Sequence, residues 1–163
     1  MTFNTPDLCD ELGDAVQVAE PVFRDFGSAR SFSGEVETLR VFEDNALVRT
    51  LLETPGRARV LVVDGGGSIR TALVGGKLAA LAAENGWTGI VVYGAVRDLA
   101  ELRSVSIGIK ALAPCPRKSG KTGSGERGVQ VGFAGVIMRR GNFIWADEDG
   151  LVIAERAPGG SAR

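Results

Sequence analysis

Three charged residues in one short stretch have the types and the spacing that metal-assisted chemistry needs. Arg97 and Asp98 are adjacent, and Glu101 follows three residues after Asp98. Side chains three positions apart lie on the same face of a helix, so these two carboxylates are near enough to share a hydrated divalent cation. The Arg97 guanidinium beside them can pair with a substrate carboxylate or stabilise an oxyanion. The stretch thus predicts a combined metal and anion site.

A second segment offers backbone amides instead of charged side chains. Gly75 and Gly76 come just before Lys77, where a strong helical propensity begins and continues to Glu84. The first N–H groups of a helix have no partner inside it, and with the helix dipole they favour a carboxylate or a phosphate. The glycine-rich segment 64–68 precedes this helix start, at another strand end where a ligand can bind.

Spacing alone also fits a simpler interpretation of both segments, and on spacing alone the simpler one is favoured. Asp98 can be a first-turn acid of a helix and Arg97 a partner in a surface ion pair, while the glycines form turns. Asp64 can cap its own turn.

The chain contains no histidine, which removes several kinds of catalytic site. Serine or cysteine catalysis with an imidazole base and histidine-based metal sites are excluded, which leaves carboxylates, lysine, arginine, tyrosine and backbone amides. The two cysteines, Cys9 and Cys115, are too far apart to form a C-x-x-C pair. A bound metal would therefore be held by oxygen atoms, which predicts Mg²⁺ or Mn²⁺ and not Zn²⁺.

The segment 119–128, SGKTGSGERG, has some features of a phosphate-binding loop but lacks others that such a loop requires. A Walker-type loop needs a glycine five residues before Gly120, where this chain has Cys115, and Pro116 removes a backbone donor. The sequence that follows alternates like a strand, whereas the phosphate loop leads into a helix. We therefore interpret this segment as a mobile, solvated basic loop, and expect Lys121→Ala to leave any activity largely intact.

Length and composition predict one soluble domain over residues 1–163. The chain has 163 residues, 44% hydrophobic residues and a formal net charge of −1. Such a charge supplies no general attraction to nucleic acid or to anionic lipid. There is no apolar run of membrane-spanning length and no signal peptide pattern at the N-terminus. We expect a cytoplasmic protein that binds neither nucleic acid directly nor a membrane.

Strand and helix patterns alternate through most of the chain and predict an α/β fold. Strand patterns lie at 33–42, 59–63, 89–93, 107–113, 129–138 and 143–154, the last with a turn at 147–150, and helix patterns at 46–53, 77–84 and 99–102. This order favours a largely parallel central sheet flanked by helices. From about residue 156 the chain is expected to form a frayed tail.

Several segments together resemble one protein family. They are RVLVVDGGGSIRTALVGG, GWTGIVVYGAVRD, IGIKALAPCPRKSGKTG and FIWADEDGLVI, with TPDLCDEL and VFEDNALVRTLL nearer the N-terminus. In order and spacing they are similar to the RraA-like proteins, which are named for the regulator of ribonuclease E activity and include 4-hydroxy-4-methyl-2-oxoglutarate aldolases. The resemblance covers residues 5 to 155, far more than a short motif does.

The resemblance implies a swivelling-type β/β/α fold and a ring-shaped homotrimer. For the catalytic members it also implies a divalent-metal-dependent lyase that cleaves small α-keto acid aldols and decarboxylates oxaloacetate. Asp98 matches the metal-ligand aspartate, and Arg97 matches the arginine that binds substrate and stabilises the enolate. The segment Gly75, Gly76, Lys77 and Leu78 matches the loop whose backbone amides hold the substrate carboxylate.

One position departs from the pattern of the catalytic relatives. They carry an aspartate twenty-one residues before the arginine and a glutamate or aspartate four residues after it. This chain has Gly76 at the first of these positions and Glu101, a possible outer-shell partner of the metal, at the second. Loss of such a carboxylate is expected to weaken metal binding about ten- to a hundredfold. An aspartate at position 76 is then expected to raise activity.

Two further functions are weighed against the lyase. The first is a non-catalytic regulator that binds and inhibits an RNA-degrading endonuclease of the ribonuclease E class, which the length of the chain and Gly76 favour. The second is a quinone methyltransferase, which we reject because the chain lacks the Rossmann glycine loop after its first strand and has no room for a substrate domain.

Overall fold

The described part of the chain forms four short helices around one large mixed sheet and a separate two-stranded ribbon. The computed structural model describes residues 2–159. The helices are α1 (Thr5–Leu12), α2 (Ala46–Leu52), α3 (Gly76–Glu84) and α4 (Leu99–Leu102), with a 3₁₀ turn at Gly13–Ala15. The strands are β1 (Val16–Val18), β2 (Arg24–Asp25), β3 (Phe32–Arg40), β4 (Val60–Asp64), β5 (Ala72–Val74), β6 (Gly89–Val96), β7 (Gly108–Pro114), β8 (Glu126–Arg127), β9 (Val131–Phe133), β10 (Val136–Met138), β11 (Phe143–Asp147) and β12 (Gly150–Ala154).

The predicted α/β class is confirmed, but the sheet is parallel in its centre alone. The strand order is β1-β12-β11-β3-β4-β6-β7-β2, with β5 beside β6 and β8 beside β3. The pairs joining β3, β4, β6 and β7 are parallel, as is β5 with β6. One flank is antiparallel because β11 and β12 form a hairpin that adds to the first residues of β3, and at the other flank β2 is antiparallel to β7.

Two apolar cores lie on opposite faces of the parallel strands. Side chains of successive strand residues point to opposite faces, so Leu61 and Val63 of β4 face α2, α3 and α4, while Val60 and Val62 face the other way. The second core is closed by the β9–β10 ribbon and the β11–β12 hairpin. Helices therefore cover one face of the parallel strands, and strands cover the other.

The tail predicted from residue 156 is exposed at residues 156–159, and residues 160–163 lie outside the described range. No helix within residues 2–159 is long and apolar enough to cross a membrane.

In the second core, the ring of Phe32 fills the space that side chains at two glycine positions would otherwise take. Gly89 and Gly108 are paired across β6 and β7, and a methyl group on either would overlap the buried ring of Phe32. We expect Gly108→Ala to destabilise the protein by about 1–3 kcal/mol, because the ring must leave its position or the strands must separate. Urea denaturation measures this loss.

Gly132→Ala is the matched control, since a methyl group there meets its nearest atom at 3.8 Å. A Gly108→Ala protein as stable as Gly132→Ala would show that the ring has room to move.

Candidate active site

The register of two parallel strands places the two predicted segments side by side. Val74 at the end of β5 lies opposite Val96 at the end of β6. The residues that follow are Gly75 and Arg97, and the Arg97 amide donates to the Val74 carbonyl at 3.0 Å. Because parallel strands end at one edge of a sheet, the start of α3 and the Arg97–Asp98 pair emerge together.

Asp98 has a left-handed backbone conformation and caps the neighbouring helix. Its φ of +62° and ψ of +47° are uncommon for a residue with a side chain, although aspartate tolerates this region better than most. Its Oδ2 accepts a hydrogen bond from the Gly76 amide at 2.9 Å. A methyl group on Gly75 would lie 2.6 Å from the same oxygen, so position 75 needs glycine for space.

The predicted carboxylate cradle is shorter than expected. The Gly76 amide is already bonded to Asp98, which removes it from the set available to a substrate. Within the described part of the chain, the amides of Lys77 and Leu78 donate to no carbonyl or side chain. These two amides, at the positive end of the nine-residue helix α3, are the groups that can bind a carboxylate.

Glu101 occupies the space into which a side chain at position 76 would project. A methyl group on Gly76 would overlap Glu101 Oε2, and it would lie 2.7 Å from Cδ and 2.9 Å from Cβ of the same residue. The Glu101 carboxylate of α4 therefore lies where a side chain at position 76 would be. Because Glu101 must move before an aspartate fits at position 76, the structure favours a loss of activity over the rise expected from the sequence.

The donor set fits a hard divalent cation. Two carboxylates, from Asp98 and Glu101, adjoin the first residues of α3, and Mg²⁺ is commonly held by one or two carboxylates while it keeps several waters. A cage of three or more acidic, cysteine or histidine side chains does not occur among residues 2–159. The arrangement suits a cation that shares its coordination with water and substrate.

We expect Gly76→Asp alone to lower Mn²⁺ affinity and activity about tenfold, because it displaces Glu101. Glu101→Ala should lower both to a similar extent. The double variant Gly76→Asp/Glu101→Ala should recover part of the loss, since the acid then reaches the same space from α3. Calorimetric Mn²⁺ titration of the three variants tests this, and tighter binding by Gly76→Asp alone would contradict it.

These groups line one cleft of about 580 Å³. Six of the predicted residues are among its walls: Gly75, Lys77, Leu78, Arg97, Asp98 and Glu101. Gly76 is buried behind them. The cleft also contains four residues that sequence reasoning did not place there: Asn45, Ala46, Arg49 and Lys121. It is therefore richer in positive charge than the sequence indicated.

The basic loop is exposed to solvent at residues 120–127, as predicted, but it is also bonded to this cleft. Lys121 Nζ donates to Asn45 Oδ1 at 3.1 Å, and Arg97 donates to the Pro116 carbonyl at 3.3 Å. Asn45 also donates to the Leu73 carbonyl at 3.1 Å. No local signal reveals these contacts, because they join residues 28 and 76 positions apart in the chain.

Asp64, the other candidate acid, is outside the cleft. Its Oδ1 accepts from the Gly66 amide at 2.9 Å, which is the turn cap of the simpler interpretation, and its Oδ2 lies 3.9 Å from Nε of Arg40.

Comparison with known proteins identifies the family. The family model described as RraA-like, Aldolase/RraA, matches residues 5–153. The chain belongs to the RraA-like family. A relative from Alkalilimnicola ehrlichii, named "Putative 4-hydroxy-4-methyl-2-oxoglutarate aldolase", is 54% identical over 96% of this chain and 98% of its own length.

Two solved structures have the same fold as the present chain. One is described as the RNA-processing inhibitor RraA from Thermus thermophilis, with a TM-score of 0.94, 52% identity and coverage of 99% of this chain and 98% of its own. The other is described as S-adenosylmethionine: 2-dimethylmenaquinone methyltransferase from Geobacillus kaustophilus HTA426, with a TM-score of 0.95, 45% identity and coverage of 99% and 100%. The two structures share this fold, but their descriptions state different functions. The choice between functions for the present chain therefore depends on the residues of its site.

Proposed function

We propose that this RraA-like protein is a divalent-metal-dependent carbon–carbon lyase. It would cleave 4-hydroxy-4-methyl-2-oxoglutarate and decarboxylate oxaloacetate, and in both reactions pyruvate would be released through its enolate. The observation that supports this most is the convergence of Arg97, Asp98, Glu101 and the free amides of α3 in one cleft. The names of the similar curated proteins point to the same class of reaction.

The proposed substrates share a 2-oxo acid group, and the bond between C3 and C4 breaks. Its electron pair moves into the bond between C2 and C3, so negative charge collects on the C2 oxygen. The rest of the aldol substrate leaves as a carbonyl compound, as its C4 hydroxyl gives up a proton to water; the rest of oxaloacetate leaves as carbon dioxide. A proton from water then converts the enolate to pyruvate. The site must therefore hold one carboxylate and stabilise one developing oxyanion.

The cleft offers a separate group for each of these tasks. The amides of Lys77 and Leu78 would bind the C1 carboxylate at the positive end of α3. Arg97, whose position is fixed by its bonds to Val74 and Pro116, would donate to the C2 oxygen as charge develops there. Asp98 and Glu101 would hold the cation, which supplies a Lewis acid for the 2-oxo group.

The test is oxaloacetate decarboxylation by the pure protein with Mg²⁺ or Mn²⁺, with and without a chelator. We expect pyruvate formation well above the rate with free metal alone, and its loss on chelation. Activity no higher than that of free metal would overturn the lyase.

The alternative is a non-catalytic regulator that binds an endonuclease of the ribonuclease E class. The likeness to the structure described as an RNA-processing inhibitor favours it, since the match covers nearly the full length of both chains. Inhibition of such an endonuclease by a protein without lyase activity would establish this function. Inhibition by an Asp98→Asn variant would separate the two activities.

We further propose a ring-shaped homotrimer. Large apolar side chains are exposed on the single chain, among them Phe42, which is 57% exposed, and Ile69, which is 52% exposed. Light scattering should give three times the chain mass of 17.1 kDa, and a mass near 17.1 kDa would overturn the trimer.

A further inference from the structure

The cleft has more positive charge than one substrate carboxylate requires. Its walls include four cationic side chains, Arg49, Lys77, Arg97 and Lys121, against the two carboxylates of Asp98 and Glu101. A divalent cation on the carboxylates offsets their charge and leaves the four basic groups in excess. Arg49 is in part engaged, since its Nε lies 2.9 Å from Glu53. Excess charge in a concave site favours a ligand with more than one negative group.

Lys121 is a basic group to which the proposed reaction assigns no role. Its Nζ donates to Asn45 Oδ1 at 3.1 Å, and no carboxylate of residues 2–159 lies within 4 Å of it. An ammonium group has three N–H donors, so two remain after the bond to Asn45. A carboxylate is the natural acceptor for them because a charged acceptor gives the stronger hydrogen bond.

A buried carboxylate fixes the loop that carries Lys121. Asp44 is 4% exposed, and its Oδ2 accepts from the Thr122 amide at 2.6 Å and from the Thr122 hydroxyl at 2.7 Å. Its Oδ1 accepts from the amides of Gly123 and Ala46, both at 3.2 Å. Burial alone raises the pKa of Asp44, but these four hydrogen bonds outweigh it and hold that pKa below its usual range. The anchor is therefore ionised at neutral pH.

Further bonds hold the neighbouring residues of the loop. Gly120 donates to the Glu43 carbonyl at 2.8 Å and accepts from the Asn45 amide at 3.0 Å, and the buried Ser119 hydroxyl donates to the Ala72 carbonyl at 2.7 Å. Lys121 thus projects from a loop that is bonded on both sides of it. Little order has to be gained when a ligand binds, which favours affinity.

We propose that Lys121, positioned by Asp44 and Asn45, binds the second carboxylate of a dicarboxylic 2-oxo acid. The assignment rests on the proposed function, which places the first carboxylate on the amides of Lys77 and Leu78. Lys121 then selects dicarboxylates over monocarboxylates that have the same 2-oxo acid group. The prediction that Lys121→Ala leaves activity largely intact is replaced by weaker binding of dicarboxylic ligands. For oxaloacetate we expect a rise in KM, because the carboxylate that Lys121 would hold leaves as carbon dioxide.

The test compares two ligands of equal chain length by calorimetry with the Mg²⁺-loaded protein. 2-Oxoglutarate has two carboxylates and 2-oxopentanoate has one, and neither carries the hydroxyl group that aldol cleavage needs. The parent protein should bind 2-oxoglutarate about tenfold more tightly, and Lys121→Met should abolish this preference. Its affinity for 2-oxopentanoate should stay within about twofold, because Lys121 does not contact that ligand. Lys118→Met changes an exposed lysine that comes just before the loop and lies outside the cleft, so it is the control and should keep the preference.

Asp44→Asn tests the positioning role, since an amide cannot accept all four hydrogen bonds. It should also reduce the ratio of the two affinities, whereas a purely structural effect would lower thermal stability and leave the ratio unchanged.

An unchanged preference in Lys121→Met, an equal loss for both ligands, or no binding of either ligand would overturn the assignment. If the protein decarboxylates oxaloacetate and Lys121→Met keeps the preference for 2-oxoglutarate, the proposed function stands and the Lys121 subsite is wrong. If the protein has no lyase activity and Lys121→Met loses the preference, the subsite stands and the proposed function is wrong.

Discussion

Replacing Asp98 by asparagine should lower chelator-sensitive decarboxylation of oxaloacetate about a hundredfold or more, because the change removes charge from the group that would hold the cation. Asparagine is nearly the same size and also tolerates a left-handed backbone, so the φ of +62° can be kept. Its amide oxygen can still accept the hydrogen bond from Gly76 that caps α3. The loss should therefore be electrostatic, with little change in fold.

Mn²⁺ affinity, pyruvate formation and thermal unfolding of Asp98→Asn should be measured together. Asp10→Asn, an exposed site on α1 outside the cleft, is the control for loss of one negative charge. Full activity in Asp98→Asn with metal still required would show that the cation is held elsewhere.

Replacing Arg97 by lysine should lower kcat for oxaloacetate about a hundredfold, even though the positive charge is kept. Removal of one donor from an oxyanion site commonly has an effect of this size. Lysine cannot donate to the Pro116 carbonyl and to the substrate oxygen in the fixed planar geometry of a guanidinium. Because the charge on the oxygen develops in the transition state, kcat should fall more than KM rises.

Steady-state kinetics of Arg97→Lys and Arg97→Ala measure this effect, and added guanidinium should partly restore Arg97→Ala. Arg103→Lys changes an exposed arginine at the end of α4, outside the cleft, and should leave kcat unchanged. A rise in KM at constant kcat would show that Arg97 binds the substrate but does not stabilise the transition state.

The longer elements of the fold could be predicted because their patterns are local. The apolar run of β4 and the helical propensity of α3 lie within a few residues of where they were expected. The strands β1, β2, β5 and β8 have two or three residues each, which is too few for any periodicity to show. They exist because longer strands beside them offer unpaired backbone groups, which is information that a local pattern does not contain.

The candidate site also has one part that the sequence predicts and another that it does not. Arg97, Asp98 and Glu101 are close in the chain, and their spacing alone suggested shared chemistry. Asn45 comes just before α2, yet its side chain makes no capping bond and instead joins Leu73 to Lys121. Such a role is set by tertiary packing, because the partners come from three separate segments of the chain.

The overlap between Glu101 and any side chain at position 76 also constrains how this site can change over generations. On the expected results for the three variants above, an aspartate gained at position 76 lowers metal binding while Glu101 is present, and loss of Glu101 lowers it while Gly76 is present. The two substitutions are then expected to show sign epistasis in this chain. The aspartate of the catalytic relatives becomes favourable here only after Glu101 or its surroundings have changed.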